Sequence, residues 1–236
     1  MNAIAVIPAR YRSTRLPGKP LAMIKGKTMV QRVYEQCRKA KSIDKVIVAT
    51  DDRRIMNCVE DFGGNAVMTS VKHQSGTDRV IEAVKDINCR IVVNVQGDEP
   101  YIDPSGIDKL VRAFGKDRKI LVGTLAVRFA REDDCSDVNK VKVVTDLNGD
   151  ALYFSRSLIP NELGGNFPHM KHLGIYAFRK RFLGIFQQFR KTDLEKAERL
   201  EQLRILANGY KIRVIETTRD SIAVDTAEDL EALNNQ

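Results

Sequence analysis

Positive charge is concentrated in one short segment near the start of the chain. Residues 8–20 read PARYRSTRLPGKP, and four cations fall within ten positions: Arg10, Arg12, Arg15 and Lys19. Such closely spaced cations repel one another unless an anion is present, whereas a triphosphate offers several oxygens to arginine and lysine donors. The segment lacks the GxxxxGKS/T pattern of a P-loop. A solvated basic loop is the alternative interpretation, but the spacing favours a site for a small polyanion.

Two acidic positions are candidates for a magnesium site. Residues 95–100 read VQGDEP at the end of an apolar run, and Asp98 is the preferred ligand there. Magnesium is often held by one or two carboxylates that share it with substrate phosphates. The second candidate is Asp225, in AVDT at residues 223–226, beside a predicted helix start. A turn explains Asp98 and helix capping explains Asp225 without any metal, so both interpretations stay open.

A third polar segment reads HQSGTDR at residues 73–79 and opens a predicted helix. Its hydroxyls and backbone groups are suited to reading the hydrogen-bonding edge of a nucleobase. Helix capping by Ser75 or Thr77 is the alternative, and the two roles can coexist. No Ser or Cys nucleophile motif accompanies His73, so a structural or exposed histidine is expected.

The second half of the chain places polar groups at the ends of apolar segments. Arg156, in YFSR at residues 153–156, is able to grip a carboxylate through two parallel hydrogen bonds. Glu201 and Gln202 lie in ERLEQLR at residues 198–204 and are able to bind sugar hydroxyls. A solvent-facing helix surface explains those two equally well.

The segments that must position these residues alternate between strand and helix patterns in the first half. Strands are predicted at residues 3–7, 45–50, 66–68 and 91–95, with the first stopped by Pro8. Helices are predicted at residues 29–40, 51–62 and 77–86. This order indicates βαβ units and a mainly parallel sheet, whose ligands bind outside the carboxyl ends of the strands. The basic segment and VQGDEP both fall at such ends.

The second half has a different rhythm. Strands are predicted at residues 121–127, 141–145, 151–153, 172–178 and 211–216, with a hairpin turn at Asn148-Gly149. One long helix is predicted at 194–207, and Thr226 is predicted to cap a final helix. The length fits one compact α/β domain over residues 1–236, with a mixed, mainly parallel sheet flanked by helices and a smaller β-rich lobe.

Composition limits the possible partners. A formal net charge of +8 over 236 residues suggests nucleic-acid binding, but outside the basic segment the charge is dispersed and no aromatic stacking platform is evident. The four cysteines form no CxxC pair, which predicts neither a zinc site nor a disulfide framework. The apolar run at the start is too short for a signal peptide or a membrane span, so we expect a cytoplasmic protein without a membrane partner.

Blocks spread over nearly the whole chain, from Ile4 to about Leu230, resemble the 3-deoxy-manno-octulosonate (Kdo) cytidylyltransferases, also called CMP-Kdo synthetases. In chain order they are IPARYRSTRLPGKPL, VATDD, HQSGTDR, VNVQGDEP, VKVV, ALYFSRSLIP, KHLGIYAF, LEQLR and VDTAEDL. The resemblance implies a nucleotide-diphospho-sugar transferase fold and Mg²⁺ as the cofactor. It also implies CTP and a Kdo-type acidic sugar as substrates, in a homodimer.

The resemblance also implies a role for each matching position. The CTP-binding set would be Ala9, Arg10, Ser13, Thr14, Arg15, Lys19, Ser75, Gly76, Arg79 and Gln96. The sugar-binding set would be Gln96, Arg156, His172, Tyr176, Glu201 and Gln202. Asp98 and Asp225 would hold magnesium and, with Lys19 and Arg10, form the catalytic set. The nucleotide would then use roughly residues 1–120, and the sugar and dimer contacts residues 121–236.

Some positions depart from the family pattern. Ala223 stands where the family commonly has glycine before Val-Asp-Thr, and the loop at residues 161–171 is shorter than in many members. The Ser-Ile-x-Val-Asp-Thr run and the Lys171-His172 pair also resemble the branch that accepts an 8-amino analogue of Kdo. That substrate therefore stays open, as does another sugar-nucleotide synthase, for example one for sialic acid. A basic nucleic-acid-binding protein without catalysis is the remote alternative.

Overall fold

The chain forms two compact units in the computed structural model. The structure describes residues 2–12, 16–130, 134–165, 167–221, 223–224 and 226–235. The first unit comprises Met1–Val111 together with Ser221–Gln236, and the second comprises Arg112–Asp220. The sequence analysis divided the chain into halves at about residue 120. In the structure the boundary falls after Val111, and Ser221–Gln236 belong to the first unit and not to the second.

The first unit is built on four parallel strands. They are β1 (Ala3–Ala9), β4 (Lys45–Thr50), β5 (Ala66–Met68) and β6 (Ile91–Asn94), in the order β6-β1-β4-β5. A separate antiparallel hairpin pairs β2 (Met23–Ile24) with β3 (Lys27–Thr28). The central strands are buried along almost their whole length, which explains why they read as continuous apolar runs.

The described residues form eight α-helices, and side chains cap several of them. They are α1 (Met29–Lys39), α2 (Arg53–Asp61), α3 (Gly76–Ala83), α4 (Pro104–Lys116), α5 (Lys180–Phe186), α6 (Asp193–Glu198), α7 (Leu203–Ala207) and α8 (Ala227–Asn235), and a 3-10 helix covers Lys19–Leu21. The Thr28 hydroxyl accepts from the Gln31 N–H in α1, and the Thr226 hydroxyl accepts from the Asp229 N–H in α8.

The second unit combines parallel and antiparallel pairs. Its strands are β7 (Val122–Arg128), β8 (Lys142–Thr145), β9 (Ala151–Ser155), β10 (Met170–Arg179) and β11 (Ile212–Thr217). β11 runs parallel to β7, whereas β10 is antiparallel to both β7 and β8, and β8 pairs with β9 in the predicted hairpin. The predicted α/β class with a mixed, mainly parallel sheet arrangement and flanking helices is confirmed.

The prediction that Pro8 ends the first strand was wrong, because β1 continues to Ala9. The Val6 carbonyl accepts from the Val95 N–H, so the backbone groups of Val6 face β6. Residues two apart in a strand face the same side, and the backbone groups of Pro8 therefore face β6 as well. The register with β6 ends at Val6 opposite Asn94. The N–H that proline lacks is therefore not needed for the ladder.

The predicted helix over residues 194–207 was also wrong, because it is two short helices. Arg199 follows α6 in the left-handed conformation at φ 53°, and α7 begins at Leu203. A buried ion pair joins the two pieces: Arg204 Nε donates to Glu195 Oε2 at 2.7 Å, and the Arg204 Nη2 contact to Oε1 makes it bidentate. Both residues are less than a tenth exposed.

Breaking this pair should destabilise the protein. Glu195→Gln or Arg204→Met leaves the other charge buried without its partner, and we expect the free energy of unfolding to fall by about 3–5 kcal/mol. Urea unfolding at neutral pH measures it. The control is Asp193→Asn in the same helix, which removes the fully exposed pair to Lys196 and should leave stability nearly unchanged. If Glu195→Gln and Arg204→Met are as stable as the parent and the control, the buried ion pair does not stabilise the fold.

Candidate functional site

The polar segments of the first unit meet at the carboxyl edge of its parallel strands. Because β1 pairs in register with β4 and β6, the loops that follow all three strands begin at that edge. Ala9 is the last residue of β1 and is buried, and Arg10 begins the loop with a half-buried side chain. Ser13, Thr14 and Arg15 lie outside the described residues.

The basic loop is closed at its base by its own backbone. The Gly18 N–H donates to the Tyr11 carbonyl at 2.9 Å. Gly18 has φ 70°, and a Cβ built there would approach the Tyr11 ring at 3.3 Å, so this turn requires glycine. The Arg54 guanidinium lies 3.3 Å from the centre of the same ring. Tyr11 and Gly18, which lie seven residues apart in the sequence, are thus fixed against each other.

The two polar residues predicted to handle phosphate and metal are in direct contact. Lys19 Nζ donates to Asp98 Oδ2 at 2.7 Å, and their side chains are 12% and 31% exposed. The Val224 N–H donates to the Asp98 backbone carbonyl at 2.9 Å. The segment that precedes Asp225 therefore contacts Asp98, although Asp225 itself lies outside the described residues.

The HQSGTDR segment packs closely against the end of β1. Ser75 caps α3 by accepting from the Asp78 N–H at 3.1 Å, and the Asp78 carboxylate accepts from Ser75 N–H at 3.2 Å, so the capping role is confirmed. A Cβ on Gly76 would lie 3.3 Å from Pro8 Cγ, and one on Gly97 would lie 3.1 Å from the Pro8 carbonyl oxygen. Glycine at both positions lets three loops approach one another at this edge.

Arg79 differs from the other predicted nucleotide contacts because its charge is already paired. Its side chain is fully buried, Nη2 donates to Asp51 Oδ2 at 2.7 Å, and Nη1 donates to the Thr69 hydroxyl. The guanidinium therefore ties α3 to the ends of β4 and β5. Gln96 lies between β6 and Asp98 and is half-buried.

The second unit brings three of the predicted sugar contacts together. His172 and Tyr176 lie on β10 with ring centres 5.4 Å apart. The Thr124 hydroxyl donates to the Ile175 carbonyl at 2.7 Å and so accepts from His172 Nε2 at 3.0 Å. In neutral His172 this leaves Nδ1 as a hydrogen-bond acceptor.

Burial controls the protonation of this group. It lowers the pKa of His172 to about 3, so the ring is neutral at physiological pH. Burial raises the pKa of Tyr176 well above its ordinary value, and the charge of Glu201 raises it further. The predicted sugar site is thus a neutral donor and acceptor pair beside one carboxylate.

Glu201 and Gln202 lie just before α7 rather than on the face of a long helix. Gln202 is 7% exposed, and its Nε2 makes no hydrogen bond with any described residue. A buried amide that keeps an unused donor is costly unless water or a ligand accepts from it. The surface-helix interpretation does not account for this position.

Arg156 is fixed by backbone carbonyls. Its Nε donates to the Glu198 carbonyl at 2.9 Å, and its Nη1 donates to the Val138 carbonyl at 2.9 Å.

Sequence reasoning missed three residues that contact the predicted sugar-binding side chains. Thr124 bonds His172, and Lys142 and Glu198 bond Arg156. A threonine in LVGTLAV and a lysine in VKVV are polar interruptions of buried strands, and that signal identifies the first two.

Residues that could hold a metal ion are few in the described part of the chain. No group of three or more His, Cys, Asp or Glu side chains with suitable geometry occurs among the described residues. The oxygen donor of Asp98 beside the cationic Lys19 fits magnesium, which needs only one or two protein carboxylates when phosphates complete its shell.

None of the helices in the described part of the chain has the length and apolar character needed to cross a membrane.

Comparison with known proteins gives a consistent picture. The family model described as "Cytidylyltransferase" matches residues 4–212. A protein of Geobacter metallireducens named 3-deoxy-manno-octulosonate cytidylyltransferase is 49% identical over 98% of this chain and 96% of its own length. The corresponding protein of Fusobacterium nucleatum is 45% identical over 100% of this chain and 96% of its own length.

The structural comparison agrees with the sequence matches. CMP:2-keto-3-deoxy-manno-octonic acid synthetase, solved in complex with CTP, superposes with a TM-score of 0.95 at 42% identity, covering 100% of this chain and 98% of the other.

His172 should make stability depend on pH. Its folded-state pKa lies below the ordinary 6.5, so the unfolded chain takes up this proton first as the pH falls. Its contribution to stability is fully present above pH 6.5 and is lost as the pH falls towards 3, by up to about 1.4 kcal/mol per pH unit. His172→Gln should reduce that slope in urea unfolding between about pH 4 and about pH 7. Identical slopes for the two proteins would contradict the buried neutral ring.

Proposed function

The chain belongs to the 3-deoxy-manno-octulosonate cytidylyltransferase family, and we propose on that basis that it transfers CMP from CTP to 3-deoxy-D-manno-octulosonate and releases pyrophosphate. The observation that carries the proposal is the contact between Lys19 and Asp98 at the strand edge. It joins the basic loop to the acidic turn in a chain that closely matches a synthetase solved with CTP.

The reaction is an in-line displacement at phosphorus. The anomeric hydroxyl oxygen of the sugar attacks the α-phosphorus, the new O–P bond forms, and the bond to the bridging oxygen breaks as pyrophosphate leaves. The hydroxyl proton passes to solvent. Negative charge grows on the phosphoryl oxygens, so catalysis depends on positioning and on electrostatic stabilisation by cations such as Lys19 and Arg10.

Magnesium is the proposed cofactor, and Asp98 and Asp225 are the side chains that would hold it. When bound, such an ion neutralises phosphate charge and polarises the groups that react. The contact with Lys19 supports this role for Asp98, because it fixes the direction of the carboxylate at the strand edge.

The acidic sugar is proposed to bind through side chains of the second unit. Gln202 Nε2 and His172 Nδ1 supply a donor and an acceptor for hydroxyl groups, and Arg156 supplies a cation for the carboxylate. Tyr176 and Glu201 complete this set, and Gln96 of the first unit is proposed to contact both substrates.

We further propose a cytoplasmic homodimer whose product feeds lipopolysaccharide assembly. Exposed apolar side chains of the second unit support self-association, and these include Leu147, Leu152 and Leu163.

Substrate choice is tested by pyrophosphate release. The protein is mixed with CTP and Mg²⁺, and Kdo, 8-amino-Kdo and sialic acid are supplied in separate reactions. We expect release with Kdo and little with sialic acid. Preference for 8-amino-Kdo would assign the amino branch. If the folded protein releases no pyrophosphate with any of the three sugars, the proposed function is wrong.

Asp98 is tested by an isosteric change that removes only its charge. Asp98→Asn keeps an oxygen for Lys19 but weakens metal binding, so we expect pyrophosphate release to fall by about a thousandfold with little change in the melting temperature. The control is Asp86→Asn, at an exposed position of the same unit. Full activity of the Asp98 variant would remove the metal assignment.

A further inference from the structure

Two of the three guanidinium nitrogens of Arg156 are held by described residues of the protein, and the third is not. The Nε and Nη1 nitrogens donate to the carbonyls of Glu198 and Val138, while Nη2 makes no hydrogen bond with any residue the structure describes. An arginine that is immobilised through Nε and Nη1 loses little freedom when its Nη2 meets a carboxylate. The residues that immobilise it therefore affect recognition without touching the ligand.

Glu198 contacts Arg156 in two different ways. Its Oε2 accepts from the Arg156 backbone N–H at 2.9 Å, and its own carbonyl accepts from Arg156 Nε. Its Oε1 accepts from the Ser155 hydroxyl at 2.6 Å. A charged acceptor makes such bonds stronger than neutral pairs, so the Glu198 carboxylate fixes the backbone of Arg156. The Glu198 backbone carbonyl fixes the direction of the Arg156 side chain.

Lys142 holds the same residue from the neighbouring strand. It lies opposite Ser155 in the β8–β9 register, and its side chain is fully buried. Its Nζ donates to the Asp137 carbonyl at 2.9 Å and to the Arg156 carbonyl. Burying an ammonium group is costly, and an apolar side chain would fill the space at a lower cost. The charge is therefore used to fix the two carbonyls.

We propose that Glu198 and Lys142 are positioning residues for recognition of an acidic sugar, because together they hold Arg156 with its Nη2 group ready for a carboxylate. This inference rests on the proposed function. It adds two residues that do not contact the sugar, and it predicts that their loss weakens binding of the sugar far more than binding of CTP.

The test compares Michaelis constants for both substrates. Glu198→Ala should raise the KM for Kdo about tenfold, the cost of one lost charge-assisted contact, and leave the KM for CTP unchanged. Glu198→Gln keeps an acceptor for the Arg156 N–H and should recover most of that loss. Lys142→Met should act in the same direction as Glu198→Ala. The matched controls are Asp193→Asn and Lys196→Met, which alter exposed charges of α6.

An analogue separates positioning from general damage. Against the C1 amide of the sugar, which lacks the carboxylate, parent and Glu198→Ala should have nearly equal KM values. Equal KM values for Kdo in the parent and Glu198→Ala, or parallel loss for Kdo and CTP, would overturn the inference. If Lys142→Met does not fold, the two Glu198 variants still decide it. Failure of the proposed function is distinct, because the parent protein would then release no pyrophosphate with any sugar.

Discussion

The ion pair between Lys19 and Asp98 is the interaction on which the first unit's site depends. The two residues are 79 positions apart, and they meet because parallel pairing of β1 with β6 brings both following loops to one edge. Each charge lowers the cost of holding the other in a partly buried place.

A second principle is that two arginines of the predicted sites are already hydrogen-bonded within the protein. Arg79 ties strand ends together through Asp51 and Thr69, and Arg156 is held by two carbonyls. These contacts remove rotamer freedom before any ligand arrives, so less binding energy is lost to ordering side chains. Precise placement of donors is what a phosphoryl transfer without covalent catalysis requires.

Sequence patterns predicted the strands better than the helix ends. The strand at 45–50 was predicted to the residue because it is an unbroken β-branched run. The helix at 194–207 was predicted as one piece because its apolar spacing continues through the left-handed Arg199, which no local pattern marks. The helix α4 was missed, although Pro104 at its start and the buried Ile107, Leu110 and Phe114 are typical helix signals. For the site, motif blocks supplied the proposed contacts, whereas Glu198 becomes evident only from the hydrogen bonds it forms.

The division of the chain also has a consequence for synthesis. The second unit is one continuous stretch, Arg112–Asp220, while the first needs Ser221–Gln236 to be complete. In the finished fold Leu233 and Val224 cover Ile24 and Met29. A ribosome therefore makes every residue of the second unit before the last part of the first. In the nascent amino-terminal unit Ile24 and Met29 stay uncovered, and open to chaperones, until Val224 and Leu233 have been made.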